Sequence, residues 1–198
     1  MEPQVNELNS MRMTNLVEAA EEQARQALTD FRYAYINTTV KVDVATLQAA
    51  ADIFSPCLDR VKAINGMVFS FTMQPYPVSL LKRTEPAGGG EGDVLGLSPH
   101  DGPLVSILLL LYWNKTEDDE TVLGTAKEIL EAIDTDAAAR GMSVPFKYLD
   151  YAFSFQDPID KYGLENQTKL QEASRRYHGM LQNGVPGGFK LFQLGIMF

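Results

Sequence analysis

The longest apolar run of the chain, Leu104 to Trp113, constrains the fold more than any other feature. It is apolar on both faces that a strand would present, which is typical of a central strand in a sheet with cover on both sides. Ten residues are too few to cross a bilayer as a helix. The run therefore predicts a globular sheet protein, with no membrane-spanning segment.

Hydrophobic periodicity predicts four helices around this strand. The first is Thr14 to Tyr35, and the second is capped by Asp43 and has a break near Ser55 at Pro56. The third follows Thr116 and the acidic residues 117–120 and reaches Ala139, and the fourth is Glu165 to Tyr177. The asparaginyl, aspartyl and hydroxyl side chains that start helices support these boundaries. No internal repeat or long linker interrupts them.

Two further segments alternate with the period of a strand. Met67 to Gln74 places Phe69 and Phe71 on one face and is ended by Pro75 and Pro77. Phe146 to Phe155 places Leu149, Tyr151, Phe153 and Phe155 on one face. We therefore predict an α+β fold, an antiparallel β-sheet covered by helices on one face, as a single domain at 14–198 after a flexible segment at 1–13.

Composition narrows the possible functions. A net charge of −9 argues against a nucleic-acid surface. His100 and His178 are the only histidines and lie far apart, so no metal site is expected. The polar start of the chain has no secretory h-region, and a cytoplasmic location is the default. The glycine-rich stretch 87–92 lacks the spacing and the lysine of a phosphate-binding loop.

The end of the chain carries a distinctive pattern of aromatic residues and glycines. It reads Tyr148-Leu149-Asp150-Tyr151-Ala152, then Gln156-Asp157-Pro158, Tyr162-Gly163 and Pro186-Gly187-Gly188-Phe189-Lys190. This resembles the C-terminal end of fungal flavin-linked oxidases of the berberine-bridge-enzyme-like type, which carry a Tyr-x-Asn-Tyr-Ala strand and a Tyr-Asp-Pro turn. The resemblance spans about residues 60–192 and is strongest from Phe146 onward.

The resemblance implies that the sheet face opposite the helices roofs a substrate cavity above a flavin. In those oxidases a preceding domain carries the flavin, and we find no counterpart of it in the sequence, so we expect no cofactor. Asp150 stands where the pattern has asparagine, and His178-Gly179 stands where it has Asp-Pro. Both departures fit relaxed contacts with a flavin.

Strand parity then selects candidate site residues on this face. The candidate catalytic residues are Tyr112, Tyr148 and Asp150, with the tyrosines as hydrogen-bond donors to a carbonyl and Asp150 as a base or orienting group. The candidate substrate-binding residues are Ser70, Thr72, Gln74, Ser106, Leu108, Leu110 and Ser154. Such a mixture of apolar and hydrogen-bonding side chains is typical of the wall of a small-molecule pocket.

Three classes of function remain open. The first is a flavin-independent cyclase of fungal secondary metabolism that promotes a Diels–Alder-type [4+2] reaction of an apolar polyene or polyketide by shape and hydrogen bonding. The second is the C-terminal subunit of an FAD-linked oxidoreductase that acts with a flavin-domain partner. The third is a non-catalytic binding protein. Because an open apolar face is rare in soluble monomers, we also expect a homodimer through it.

Overall fold

The computed structural model describes residues 13–26, 30–84, 94–177 and 191. In this part of the chain the strands are β1 Arg32–Lys41, β2 Val68–Tyr76, β3 Leu104–Trp113 and β4 Ser143–Val144. The α-helices there are α1 Leu16–Gln26, α2 Val44–Cys57, α3 Val78–Leu81, α4 Asp119–Ala139 and α5 Leu164–Tyr177. Neither segment 1–12 nor the Pro-Gly-Gly-Phe-Lys segment belongs to the described residues.

The first predicted helix is only half right. Helix α1 belongs to a compact unit, Met1–Phe31, that precedes the unit Arg32–Phe198 containing the sheet. At the start of α1, Asn15 Oδ1 accepts the backbone N–H of Glu18 at 2.9 Å, as an N-cap does. The second half of the predicted helix is wrong, because β1 begins at Arg32 and its β-branched, alternating sequence favours a strand.

The sheet has the order β2-β3-β1-β4 and every pair is antiparallel. Strand β3 lies at its centre with the bounds that the apolar run predicts. All ten residues of β1 pair with β3, from Arg32 opposite Trp113 to Lys41 opposite Leu104. The α+β architecture with an antiparallel sheet is therefore confirmed.

Helices α2 and α4 cover one face of this sheet. The buried core between them contains Ile36, Ile107, Leu109, Leu111 and Ile129, all essentially without exposed surface. The predicted cap of α2 is present, because Asp43 Oδ2 accepts the backbone N–H of Thr46 at 2.8 Å. We name this side the helix-covered face.

Strand β2 packs Phe69 and Phe71 on the helix-covered face, against Phe54 of α2, as predicted. It does not end at Pro75, which pairs with Val105 inside the ladder. Proline lacks a backbone N–H, and β2 tolerates it because it is an edge strand of the sheet.

The predicted strand Phe146 to Phe155 is wrong. Strand β4 ends at Val144, and residues 149–151 form a 3₁₀ turn in which Tyr151 N–H bonds to the Tyr148 carbonyl at 3.1 Å. The alternation of aromatic residues arises because this segment passes the outer edge of β1 and sends rings to both sides of the sheet. Phe153 joins the helix-covered core as expected, whereas Tyr151 stacks on Tyr35 on the opposite side.

A second, smaller core closes one end of that opposite side. It consists of Leu81, Leu104, Val144, Phe146 and Tyr162, with Leu170 of α5 packed against it. As far as the described residues show, this is the end at which the sheet has cover on both sides. In the described part of the chain, none of the helices has the length and apolarity to span a membrane.

Candidate functional site

The face opposite α2 and α4 is defined by the strand registers. Its members, which we call the tyrosine face, are Tyr33, Tyr35, Asn37 and Thr39 of β1, Val68, Ser70, Thr72, Gln74 and Tyr76 of β2, and Leu104, Ser106, Leu108, Leu110 and Tyr112 of β3. Residues opposite each other in antiparallel strands share a face. The sequence predicted Ser70, Thr72 and Gln74 of β2 and Ser106, Leu108, Leu110 and Tyr112 of β3 for this face, and it missed the members from β1.

Tyrosine rings form a continuous chain across this face. Tyr112 lies 6.4 Å from Tyr33, and Tyr33 lies 6.1 Å from Tyr35, measured between ring centroids. Tyr35 stacks on Tyr151 at 5.6 Å, and Tyr151 meets Tyr148 edge-on at 4.9 Å. These separations and angles are those of favourable aromatic pairs. Strand β1, strand β3 and the turn 149–151 thus supply one site.

The hydroxyl groups of Tyr35 and Tyr112 are hydrogen-bonded. This bond, followed by burial, raises the pKa of Tyr35 to about 12. A phenol hydroxyl can both donate and accept a hydrogen bond, so this pair suits a ligand that carries a carbonyl oxygen.

Tyr148 and Asp150 form a second polar pair at the other end of the ring chain. The Tyr148 hydroxyl donates to Asp150 Oδ2 at 2.9 Å, and this bond is the main reason that the pKa of Tyr148 is raised. The structure therefore brings all three candidate catalytic residues to one ring chain. It changes two expected roles, because Tyr148 donates to Asp150 rather than outward and Asp150 is exposed rather than buried.

The candidate substrate-binding residues of β2 lie beside this chain. The Ser70 and Thr72 hydroxyls are 3.2 Å apart and half-buried, and Gln74 follows them on the same face. Leu110 of β3 is half-buried between Ser70 and Tyr35. Leu108 is only 5% exposed, so the open apolar patch that the sequence predicts is smaller than expected.

Ser106 occupies a fully buried position on the tyrosine face. It stands opposite Thr39 of β1, which is also fully buried. Among the described residues neither hydroxyl oxygen has a hydrogen-bond partner. Each such group costs about 1–3 kcal/mol in folding when unsatisfied. Ser106 is thus on the expected face, but it lies beneath protein surface.

Ser154 does not join the site. The prediction assumed a strand, whereas Ser154 is an exposed turn residue next to Phe153, which packs on the helix-covered core. On its other side, Phe155 carries Lys127 of α4 over its ring, at 5.7 Å from the ring centroid. Both neighbours therefore contact the helix-covered side of the molecule.

Sequence reasoning missed Tyr33, Tyr35 and Tyr151. The signal for the first two was the strict alternation from Tyr33 to Val40, in which tyrosine, tyrosine, asparagine and threonine share one parity. For Tyr151, the two 3₁₀-type hydrogen bonds that end at Tyr151 and Ala152 reverse the parity of a regular strand. Local sequence gives no clear sign of that reversal.

Comparison with known proteins gives relatives from fungi. The chain is 27% identical over 195 residues to the FAD-dependent monooxygenase drtC of Aspergillus calidoustus, covering 97% of this chain and 37% of that protein. It is 31% identical over 192 residues to the FAD-dependent monooxygenase FUP4 of Fusarium proliferatum, covering 93% and 36% respectively. It is also 29% identical over 162 residues to a bifunctional solanapyrone synthase of Alternaria solani, covering 81% and 30%.

The chain thus spans about a third of the length of the curated relatives it matches. No protein-family model matches it, and no solved structure does. The similarity is to part of larger enzymes whose names specify an FAD-dependent oxidation or a synthase activity.

The N-termini of α2 and α4 are unsuited to the pyrophosphate of FAD. Dinucleotides commonly place this group at a helix N-terminus, where backbone N–H groups are free to bind it. The N-terminus of α2 is filled by the Asp43 carboxylate, and the start of α4 carries Glu117 and Glu120 with two aspartates between them. These charges repel phosphate. What the described residues offer instead is a face of aromatic rings and hydroxyl groups.

Proposed function

We propose that this chain binds an apolar, oxygen-bearing polyene on the tyrosine face and promotes its non-redox cyclisation, with a Diels–Alder-type [4+2] reaction as the specific case. One observation carries the proposal. Five tyrosines from three separate segments form a single ring chain on a sheet face that the long helices leave open. Rigid aromatic rings with hydroxyl tips suit a substrate that is mostly apolar with a few oxygens.

The chemistry needs little beyond this arrangement. In a [4+2] closure three π bonds become two C–C σ bonds and one π bond, and no atom or electron is gained or lost. The protein contributes by holding diene and dienophile in contact and by donating a hydrogen bond to a carbonyl on the dienophile. Tyr112, which is hydrogen-bonded to Tyr35, is the donor that we assign to this carbonyl.

The relatives give this proposal its support from comparison. One of them is named a bifunctional solanapyrone synthase, and the stretch that it shares with this chain covers 81% of the chain. The berberine-bridge-like pattern around Tyr148 points to the same kind of protein body, in which this sheet face meets substrate.

A second candidate rests on the other relatives. Because two of them are named FAD-dependent monooxygenases and are nearly three times as long, the second candidate function is the substrate-side part of an FAD-linked oxidoreductase. In that case the tyrosine face would hold the substrate, and a separate flavin-bearing part would perform the oxidation. The acidic helix starts described above agree with a flavin held elsewhere.

Mass spectrometry and chiral chromatography distinguish the two candidates. The purified chain is incubated with a linear trienal whose diene and enal can close to a decalin, with and without added FAD. Cyclisation gives a product of unchanged mass in enantiomeric excess, with or without FAD. A product that has lost two hydrogens or gained oxygen, only with FAD and a flavin-bearing partner chain, supports the oxidoreductase.

Variants then test the site itself. Tyr112→Phe is expected to slow cyclisation about 3- to 10-fold, the value of one lost neutral hydrogen bond. Tyr148→Phe and Asp150→Asn are expected to lower the enantiomeric excess, because they release the turn that carries Tyr151. Tyr162→Phe, a buried tyrosine of the second core that is not a member of the tyrosine face, is the matched control. Unchanged rate and stereochemistry in all three site variants would refute the assignment.

A further inference from the structure

Two amide side chains, one buried and one half-buried, connect the turn that carries Tyr148, Asp150 and Tyr151 to strand β1. The first is Asn37, which has no exposed surface. Its Oδ1 accepts the backbone N–H of Tyr148 at 2.8 Å, and its Nδ2 donates to the Tyr148 carbonyl at 3.0 Å. The side chain thus binds both backbone groups of one residue, as a neighbouring strand would.

The second amide is Gln156, which does the same in the opposite direction. Its Nε2 donates to the Asn37 carbonyl at 2.8 Å, and its Oε1 accepts the Asn37 N–H at 3.3 Å. The same Oε1 also accepts the backbone N–H of Phe153 at 3.2 Å, which closes the turn on itself. Five hydrogen bonds therefore involve only two side chains.

The location of these bonds explains why side chains make them. Strand β4 pairs only with Thr39 and Val40 of β1, so the backbone of Asn37 lies just past its end. Buried backbone groups need partners, and leaving one without costs about 1–3 kcal/mol. The amide of Gln156 replaces the missing strand at this point, and the amide of Asn37 fixes the returning chain.

We propose that Asn37 and Gln156 form an amide clamp whose role is to position Tyr148, Asp150 and Tyr151 against Tyr35 in the substrate site. The proposal rests on the proposed function of the tyrosine face. Neither amide contributes to the ring chain, so both are positioning residues. The residues between Tyr148 and Gln156 form one 3₁₀ turn and no strand, and the clamp accounts for their fixed position.

Amide-to-acid variants test the clamp with minimal change of shape. Gln156→Glu keeps the oxygen that accepts from Asn37 and Phe153 but turns the bond to the Asn37 carbonyl into an oxygen–oxygen repulsion. Asn37→Asp does the same toward the Tyr148 carbonyl. Each variant is compared with wild type by NMR of ¹³C-labelled tyrosine rings, by urea unfolding and by enantiomeric excess with the linear trienal.

We expect the ring signals of Tyr148, Tyr151 and Tyr35 to move and most of the enantiomeric excess to be lost. Gln48→Glu is the control, because Gln48 is an exposed amide of α2 that donates to Asp52 at 2.9 Å and undergoes the same charge change. It should leave ring signals and product unchanged. If Asn37→Asp does not fold, Gln156→Glu, which is less buried, carries the test.

The outcomes separate the clamp from the proposed function. Unmoved ring signals in a folded Gln156→Glu protein overturn the clamp. Moved signals with unaltered enantiomeric excess overturn its role in the site. If the wild-type chain does not cyclise the trienal at all, the proposed function fails for this substrate class, and the positioning proposal, which rests on it, fails too. The ring signals then still decide whether the amides fix the turn.

Discussion

The two faces of strand β3 differ although they share one backbone. On the helix-covered face Ile107, Leu109 and Leu111 are fully buried beneath α2 and α4. On the tyrosine face Leu110 and Tyr112 are half-buried, and their neighbours carry hydroxyl or amide groups. One face therefore supplies most of the stability through burial of apolar surface, whereas the other keeps polar groups that apolar packing does not require.

This difference indicates which face of the sheet is suited to binding a substrate. Buried polar groups lower stability unless they are satisfied, and the tyrosine face contains two buried hydroxyls, of Thr39 and Ser106, without a partner in the described part of the chain. The helix-covered face is buried beneath amphipathic helices, as any fold of this class requires. Substrate recognition is the role that we propose for the tyrosine face.

The largest expected effect comes from truncating either of two adjacent leucines of β3 to alanine. Leu109→Ala removes a fully buried side chain and should lower the free energy of unfolding by about 2–5 kcal/mol, because a cavity remains. Leu110→Ala, one residue further and on the tyrosine face, should cost less than half as much, because Leu110 is half-exposed. Urea unfolding of both variants measures the difference, and equal costs would contradict the comparison.

A smaller effect is expected where the edge of β1 meets α4. Lys147 is largely buried and pairs with Asp134 at 3.0 Å, and the hydroxyl of Thr38 contacts both. Burial lowers the pKa of Lys147, while the Asp134 carboxylate opposes that shift. Asp134→Asn leaves this ammonium group without its counter-ion and should cost about 2–3 kcal/mol, less than a fully buried pair because Asp134 is partly exposed.

Lys147→Met is the matched control for that pair. It removes the charge together with its need for a partner and keeps most of the side-chain volume, so it should cost less than Asp134→Asn. Neither variant should alter the tyrosine ring signals, since Thr38 faces the helices. Urea unfolding gives the free energy of unfolding of each variant. If Asp134→Asn is more stable than Lys147→Met, the ion pair does not offset the cost of burying Lys147.

Much of the fold follows from local sequence. The bounds of β3, the cap and stripe of α2, and the span of α4 and α5 agree with their periodicity because each is a long element with a single buried side. Strand β1 was missed because Phe31 and Tyr35 repeat at a helical spacing that continues from α1. Only pairing with β3, a tertiary contact, decides the conformation of Arg32 to Lys41.

The site was predictable where it depends on strand parity and not where it depends on a turn. Ser70, Thr72, Leu110 and Tyr112 lie on the expected face because alternation within a strand is strict. Tyr151 and Ser154 do not, because the segment after Phe146 is fixed by Asn37 and Gln156 rather than by a ladder. Contacts between residues more than a hundred positions apart leave no mark in a local pattern.

The smallest expected effect is on tyrosine ionisation, and it separates hydrogen bonding from burial on the tyrosine face. Tyr35 and Tyr162 both have a pKa of about 12, Tyr35 chiefly through its bond to Tyr112 and Tyr162 chiefly through burial. Because the folded pKa lies above the ordinary tyrosine value of 10.0, both groups stabilise the fold fully below pH 10. That stabilisation is lost as the pH rises through 12.

Spectrophotometric titration of tyrosinate, with Tyr35→Phe and Tyr162→Phe for assignment, measures these values. Tyr112→Phe should bring the pKa of Tyr35 down toward 10, because it removes the hydroxyl group that is hydrogen-bonded to Tyr35, and should leave that of Tyr162 unchanged. A Tyr35 that still titrates near 12 in Tyr112→Phe would mean that burial alone sets its pKa. The polar pair that we assign to the substrate carbonyl would then have no measurable basis, and the tyrosine face would resemble the helix-covered one.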